Sequence, residues 1–268
     1  FGSIVEDINL SLSLKKRGFD LAVILPRSFR SAFLVYLARI PIRIGYRDEG
    51  RSFFLTHGIP RRGEILHTHR VHYYKKLIDF LGNVEESFFP RIILREEDRK
   101  WAEEILSSLG FLDGRPLIGI NPGATYGLAK CWYPDRFGEL GKKLTHKWKA
   151  AILIFGRDEE GLMAKEILRH LEGAGIDFTG KTRLLQLAAL LERCQLLITN
   201  DTGTMHVATA VGTPVVALFG STDPITTRPW GDGHVVIRKN VSWSPCLKRI
   251  CPTDHRCMER ITVDEVEE

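Results

Sequence analysis

From Asp20 onward the sequence repeats one pattern, in which a short apolar run is followed by a turn of small or polar residues and then by an amphipathic stretch with apolar residues at helical spacing. A chain that alternates in this way can bury its strands only between layers of helices, which gives βαβ units and a largely parallel sheet. Strands are predicted over residues 21–25, 43–46, 117–121, 151–155, 176–179, 196–199 and 214–219. Helices are predicted over 28–39, 69–81, 95–109, 134–143, 159–171, 184–191 and 203–211, with Pro41 stopping the first and Gly110 the third. At 268 residues the chain is long for one domain, so an α/β protein of two Rossmann-like lobes is expected, with residues 1–92 in the first and 93–268 in the second. The earliest periodic segment, residues 4–16, reads as a helix with no strand before it, and the sequence opens at Phe1. The first lobe is therefore expected to be incomplete, and the end at Glu268 is expected to fall before the closing helix of such folds.

Charge and cysteine content narrow the classes of function. Hydrophobic residues make up 44% and charged residues 26%, the balance of a soluble globular protein, and no apolar run approaches the length of a membrane span. The net charge is +5, with Arg27, Arg30, Arg39, Arg43, Arg47, Arg51, Arg61 and Arg62 crowded near the front. Such a surplus suits an anionic small molecule or lipid headgroup better than a nucleic-acid duplex, and its plainer alternative is a solvated face. Five cysteines do not make a disulfide framework in a chain of this size, so a cytoplasmic location is expected.

In an open doubly wound sheet, ligands sit outside the carboxyl ends of the strands, and three segments fall there. Asn121-Pro122-Gly123-Ala124-Thr125 leaves a strand, and Lys130, Trp132 and Pro134 follow before the next helix. Its small residues let backbone donors approach a phosphate, Thr125 adds a hydroxyl and Lys130 a charge, although an ordinary strand-to-helix loop would look similar. Asn200-Asp201-Thr202-Gly203-Thr204-Met205-His206 runs from a strand into a helix whose free N–H groups and dipole form an anion site. Asp201 would serve sugar or ribose hydroxyls and His206 would face the same pocket; the alternative is that Asp201 or Thr202 merely caps the helix. In the third, Phe155-Gly156-Arg157-Asp158-Glu159-Glu160, a carboxylate would suit ribose hydroxyls, or else simply favour a helix start.

Two further patterns need weighing. Gly175 with Gly180-Lys181-Thr182 fits G-x-x-x-x-G-K-[ST], but a phosphate loop must be loop, and residues 176–179 are predicted to be strand. Cys246, Cys251, His255 and Cys257 could supply the ligands of a zinc site, yet C-x4-C-x5-C is not a usual zinc-finger spacing and a loop with free thiols is the plainer account. There is no G-x-G-x-x-G, which disfavours a dehydrogenase, and no D-x-D of the kind that metal-dependent sugar transferases use.

Together, N-P-G-A-T-x6-W-x-P from Asn121, F-G at Phe155, N-D-T-G-x-M-H from Asn200 and G-x-P at Gly212 resemble the ADP-heptose:lipopolysaccharide heptosyltransferases of glycosyltransferase family 9. L-P-R-S-F-R-S-A from Leu25 and P-I-R-I-G-Y-R from Pro41 look like the heptosyltransferase II branch. The resemblance implies a GT-B fold, two Rossmann-like lobes facing a cleft, with the acceptor met by the first lobe and the donor by the second. It implies inverting transfer of heptose from ADP-heptose to the lipopolysaccharide inner core, with no metal and no cofactor, at the inner face of the inner membrane. Thr125 and Lys130 would meet the donor phosphates, Glu159 or Glu160 the ribose, Thr182 the adenine, and Asp201, Thr202, Gly203 and His206 the diphosphate and sugar. Arg27, Arg30 and Arg47 would meet the acceptor. The family's catalytic aspartate follows the first strand of the first lobe, a stretch with no counterpart here, so the base is expected to be absent and turnover low. A non-catalytic nucleotide-sugar-binding remnant and a nucleotide-sugar epimerase of the same fold are the alternatives.

Overall fold

The computed structural model describes residues 4–48, 50–82 and 89–268. The chain divides into two compact units, Phe1–Phe88 and Phe89–Glu268. No helix among the described residues is long and apolar enough to cross a membrane.

The first unit carries helix α1 (Ile4–Lys16), strand β1 (Leu21–Ile24), helix α2 (Phe29–Leu37), strands β2 (Ile42–Arg47) and β3 (His57–Pro60), and helix α3 (Arg70–Ile78). Its three strands form one parallel sheet in the order β1-β2-β3. Ser28 caps α2, its hydroxyl accepting from the Ser31 N–H, which sets where the chain turns from β1 into the helix. β3 was not predicted: His-Gly-Ile-Pro holds a glycine and a proline in four residues and has no alternation to reveal it. Its pairing with β2 supplies what the local sequence lacks.

The second unit begins with helix α4 (Glu96–Ser108), followed by β4 (Leu117–Asn121), α5 (Pro134–Trp148), β5 (Ala151–Ile154), α6 (Gly161–His170), β6 (Gly175–Asp177), α7 (Leu184–Arg193), β7 (Leu196–Asn200), α8 (Gly203–Ala210) and β8 (Val215–Phe219). Short helix α9 (Pro224–Thr227), strand β9 (Val235–Arg238), and helices α10 (Arg256–Glu259) and α11 (Val263–Glu267) complete it. Six strands pair in the order β6-β5-β4-β7-β8-β9, all parallel. That is the doubly wound order, with its direction reversing between β4 and β7.

Alternate residues along these strands feed two cores. Leu117, Leu153, Phe155, Leu197, Ala217 and Phe219 pack with Leu106 of α4, Ala188 and Leu191 of α7 and Met205 and Ala208 of α8. Ile118, Ile120, Ile152, Ile154, Ile198 and Leu218 pack on the other face with Phe137, Leu140 and Leu144 of α5 and Ile167 of α6. Because Leu144 is buried, α5 continues past the predicted end at residue 143 to Trp148. Gly141 lets α6 come close, since a β-carbon there would lie 2.7 Å from the Leu171 side chain. Val266 of α11 reaches the same core, while Lys143 and Lys147 pair with Glu267.

Candidate functional site

The site lies where the sheet reverses direction. β4 and β7 are neighbours, but the chain leaves β4 toward one face of the sheet and β7 toward the other, so their carboxyl ends open a crevice. Two asparagines tie its walls together. Asn200 Nδ2 donates to the Pro122 carbonyl (2.7 Å) and its Oδ1 accepts from the Trp132 N–H (2.9 Å), fixing the loop after β4 from both ends. Asn121 Nδ2 reaches Thr204 Oγ1 at 2.6 Å, while its buried Oδ1 finds no partner among the described residues. Neither asparagine was singled out from the sequence, although each is the last residue of its strand and opens its motif.

A cleft of about 370 Å³ is lined by Gly123 and Thr125 after β4, Glu160 after β5, Thr182 after β6, and Gly203 and Thr204 at the start of α8, with Asn121 at its base. Of the two acidic residues considered for the ribose, Glu160 lines this space, whereas Glu159 is exposed and lies 3.6 Å from the Arg157 guanidinium. Glu160 is held by the Arg157 N–H, which donates to its Oε2 at 2.8 Å. Thr182 reaches the cleft because Gly180 turns the chain at φ 69°, a left-handed conformation glycine adopts without strain. The G-x-x-x-x-G-K-[ST] pattern is no phosphate loop, since β6 runs through it.

Beside the cleft, Lys130 Nζ lies 2.7 Å from Asp201 Oδ2 and donates to the Asp201 carbonyl at 3.2 Å. The two side chains are only 13% and 5% exposed, so each charge depends on the other in a region water reaches poorly. Asp201 therefore does not cap α8, and Thr202, which occupies the capping position, makes no side-chain cap bond either. The helix start is left with N–H groups facing a space lined by Thr202, Gly203 and Thr204, and a β-carbon on Gly203 would meet nothing within 4 Å. His206 stands one turn into α8 and does not line the cleft. The residue is exposed as a whole, yet surrounding protein desolvates the charged form enough to hold it below the ordinary histidine value, against the opposing pull of Asp201.

The basic residues of the first unit divide into two sets. Arg51 is fully buried: its Nε donates to the Tyr46 carbonyl at 2.8 Å and its Nη1 to that of Pro26, so it braces the turn after β1. Arg43 likewise donates to the Phe54 carbonyl at 2.6 Å. These two are structural rather than part of a solvated or ligand-facing patch. Arg27 is exposed and lies 3.7 Å from Asp48, whose same oxygen accepts from Arg61 at 2.9 Å. Arg30 is held against Asp7 of α1 through two 2.9 Å bonds from its Nε. Arg47 is exposed and lies across Gly58.

Cys246, Cys251, Cys257 and His255 do come together, around an apolar cavity of about 210 Å³ with Trp243. They are not arranged as a metal-binding group: no cluster of three His, Cys, Asp or Glu able to hold an ion occurs among the described residues, and His255 Nε2 is 3.1 Å from the Ala129 carbonyl.

With this geometry in place, comparison with known proteins is direct. The family model for glycosyltransferase family 9 (heptosyltransferase) matches residues 8–256. The chain belongs to that family. As a family 9 member it is 32% identical over 245 residues to lipopolysaccharide heptosyltransferase 2 of Salmonella typhimurium, covering 88% of this chain and 69% of the relative. It is 30% identical over 257 residues to lipooligosaccharide heptosyltransferase 2 of Haemophilus ducreyi, covering 88% and 70%. The solved structure of E. coli ADP-heptose LPS heptosyltransferase II superposes with a TM-score of 0.83 at 28% identity, over 98% of this chain and 79% of that one. A family 9 glycosyltransferase from Veillonella parvula gives 0.85 at 27% identity, over 99% and 78%. The fold of this family 9 chain is of the GT-B type.

Proposed function

We propose that this chain serves the transfer of heptose from ADP-heptose to the inner core of lipopolysaccharide, with inversion at the anomeric carbon and without a metal ion. The observation that carries the reading is the Lys130–Asp201 pair beside the uncapped start of α8, at the point where the sheet reverses. One ammonium group and a set of fixed N–H dipoles supply the positive potential that a leaving diphosphate needs. The named relatives are heptosyltransferases, and the E. coli structure carries ADP-heptose in its name.

In this reading the diphosphate lies over Gly203 with Lys130 and Thr125 on it. Thr202 shapes the same end, Glu160 accepts from the ribose hydroxyls, and Thr182 stands by the adenine. The unpartnered Asn121 Oδ1 gains a donor when the cleft is filled, which removes a desolvation cost of about 1–3 kcal/mol. Asp201 exchanges part of its bond to Lys130 for sugar hydroxyls, with His206 beyond it. The acceptor hydroxyl oxygen bonds to the anomeric carbon from the face opposite ADP as the carbon–phosphate-oxygen bond breaks; its proton passes to a base that is not among these residues, and ADP leaves on Lys130 and the α8 dipole. Of the three arginines expected at the acceptor, Arg47 is exposed, and Arg27 and Arg30 serve it by sharing their contacts with Asp48 and Asp7. Since that acceptor is carried on a lipid, the chain would work at the inner face of the inner membrane as a peripheral protein.

Calorimetric titration with ADP and with UDP in the presence of EDTA tests the donor side. Binding of ADP in clear preference to UDP supports the reading; preference for UDP, or ADP binding that needs a divalent cation, overturns it. Release of ADP from ADP-heptose only when a lipopolysaccharide inner-core acceptor is added separates transfer from mere binding and from epimerisation.

A further inference from the structure

Lys130 ends a tight turn, Leu128–Lys130, and its ammonium group bonds to Asp201, outside that turn. A free lysine side chain would lose up to about 2 kcal/mol of rotamer entropy on reaching one position. The order comes from elsewhere. Tyr126 places its ring centroid 5.2 Å from Lys130 Nζ, and the same centroid lies 5.6 Å from the Arg249 guanidinium carbon, both within cation–π range. Arg249 in turn brackets the turn through its own backbone and side chain. Its Nε donates to the Tyr126 carbonyl at 2.8 Å, and its carbonyl accepts from the Ala129 N–H at 3.1 Å. The Tyr126 hydroxyl donates to the Leu247 carbonyl at 2.8 Å. Gly127, at φ 153°, makes this docking possible, because a β-carbon there would run into the Arg249 carbonyl.

From this arrangement we infer that Tyr126 and Arg249 are positioning residues for Lys130: the 247–249 segment clasps the turn after β4, and the Tyr126 ring holds the ammonium group at Asp201. Neither residue needs to touch the donor. The inference rests on the reading of Lys130 as a diphosphate ligand, but the geometry it asserts can be tested apart from any ligand.

The decisive measurement is the rate at which acetic anhydride modifies Lys130, followed by mass spectrometry, in the wild-type chain and in Tyr126→Leu, Tyr126→Phe and Arg249→Ala. Acetylation about two- to fivefold faster in Tyr126→Leu and Arg249→Ala is expected, the factor set by the loss of one exposed cation–π contact, with Tyr126→Phe close to wild type because the ring remains. ADP affinity should fall by a similar factor in the same two variants. Should Tyr126→Leu fail to fold, Arg249→Ala carries the test, since that side chain is exposed. Unchanged Lys130 reactivity in Arg249→Ala overturns the inference, as does a loss of ADP affinity of equal size with Lys130 and with Ala in its place, which would make Arg249 a direct ligand. If the wild-type chain binds no ADP, the functional reading fails while the acetylation rates still decide the clasp.

Discussion

The Glu160 carboxylate fills the space that a β-carbon on Gly123 would occupy, so the loop after β4 and the turn after β5 meet with no room between them. Gly156 closes the other side, where a β-carbon would lie 2.7 Å from Glu160 Oε2. Two glycines thus fix one acidic side chain in the cleft. Gly123→Ala must push Glu160 away, at a cost of about 1–3 kcal/mol for overpacking. Calorimetry should show that ADP loses more affinity than inorganic pyrophosphate, because the nucleoside end alone depends on Glu160. Equal losses for the two ligands would place Glu160 outside the ribose site.

The five thiols should differ sharply in reactivity. Burial pushes Cys131 up to about 11 and Cys194 up to about 12, so neither forms thiolate near neutral pH. For Cys251, partial burial raises the value, but hydrogen bonds from the Thr253 N–H and hydroxyl and from the His255 N–H outweigh it and hold the thiol below the usual cysteine range. A lowered value means more thiolate at any given pH. Titration with an aromatic disulfide reagent should therefore label Cys251 first, with Cys131 and Cys194 reacting only on unfolding, as peptide mapping of the labelled chain would show.

How far the sequence reveals this protein depends on how local each signal is. Strands β4, β5, β7 and β8 were legible because each is an apolar run between turn residues, and α5, α7 and α8 because their apolar residues recur at helical spacing. β3 and β9 were not, because one is Gly- and Pro-containing and the other is a four-residue strand at the sheet edge beside β8. In the site, residues that meet the cleft directly sit in recognisable strand-end motifs. Asn121 and Asn200 open those motifs, but their partners lie up to 83 positions away, and Arg249 reaches Tyr126 across 123, so the sequence gives no local sign of what these side chains hold. Burial also sorted the arginines: Arg27 and Arg51 look alike in sequence, yet one is exposed and the other is enclosed by backbone carbonyls.

Asp177 links stability to pH. Its Oδ1 accepts from the Thr179 N–H at 2.8 Å and from the Thr179 hydroxyl at 2.5 Å, bracing the turn that carries Thr182 to the cleft. Partial burial raises its value, but these bonds and Lys181 outweigh that and hold the carboxyl below its usual 3.8. A depressed carboxylate stabilises the fold fully above its unfolded value and loses that contribution as pH falls through the folded one. Asp177→Asn should therefore lower stability by about 1 kcal/mol at neutral pH, with the difference from wild type shrinking in acid. Urea titrations at neutral pH and below pH ~3 would check this, and a constant difference would assign the effect to shape rather than charge.

Lys130 and Asp201 should separate stability from binding. Lys130→Ala leaves a carboxylate that is 5% exposed without its counter-charge, which costs about 3 kcal/mol by the usual behaviour of broken buried pairs. Adding Asp201→Asn removes that charge, so the double variant should recover most of the stability in urea titration. It should not recover ADP affinity, because the ammonium group is gone, and a charge-assisted bond to phosphate is worth about tenfold or more. Recovery of both properties in the double variant would mean that Lys130 serves only to neutralise Asp201. Loss of affinity with restored stability makes the ammonium a ligand in its own right, held in reserve by Asp201 until an anion takes the carboxylate's place.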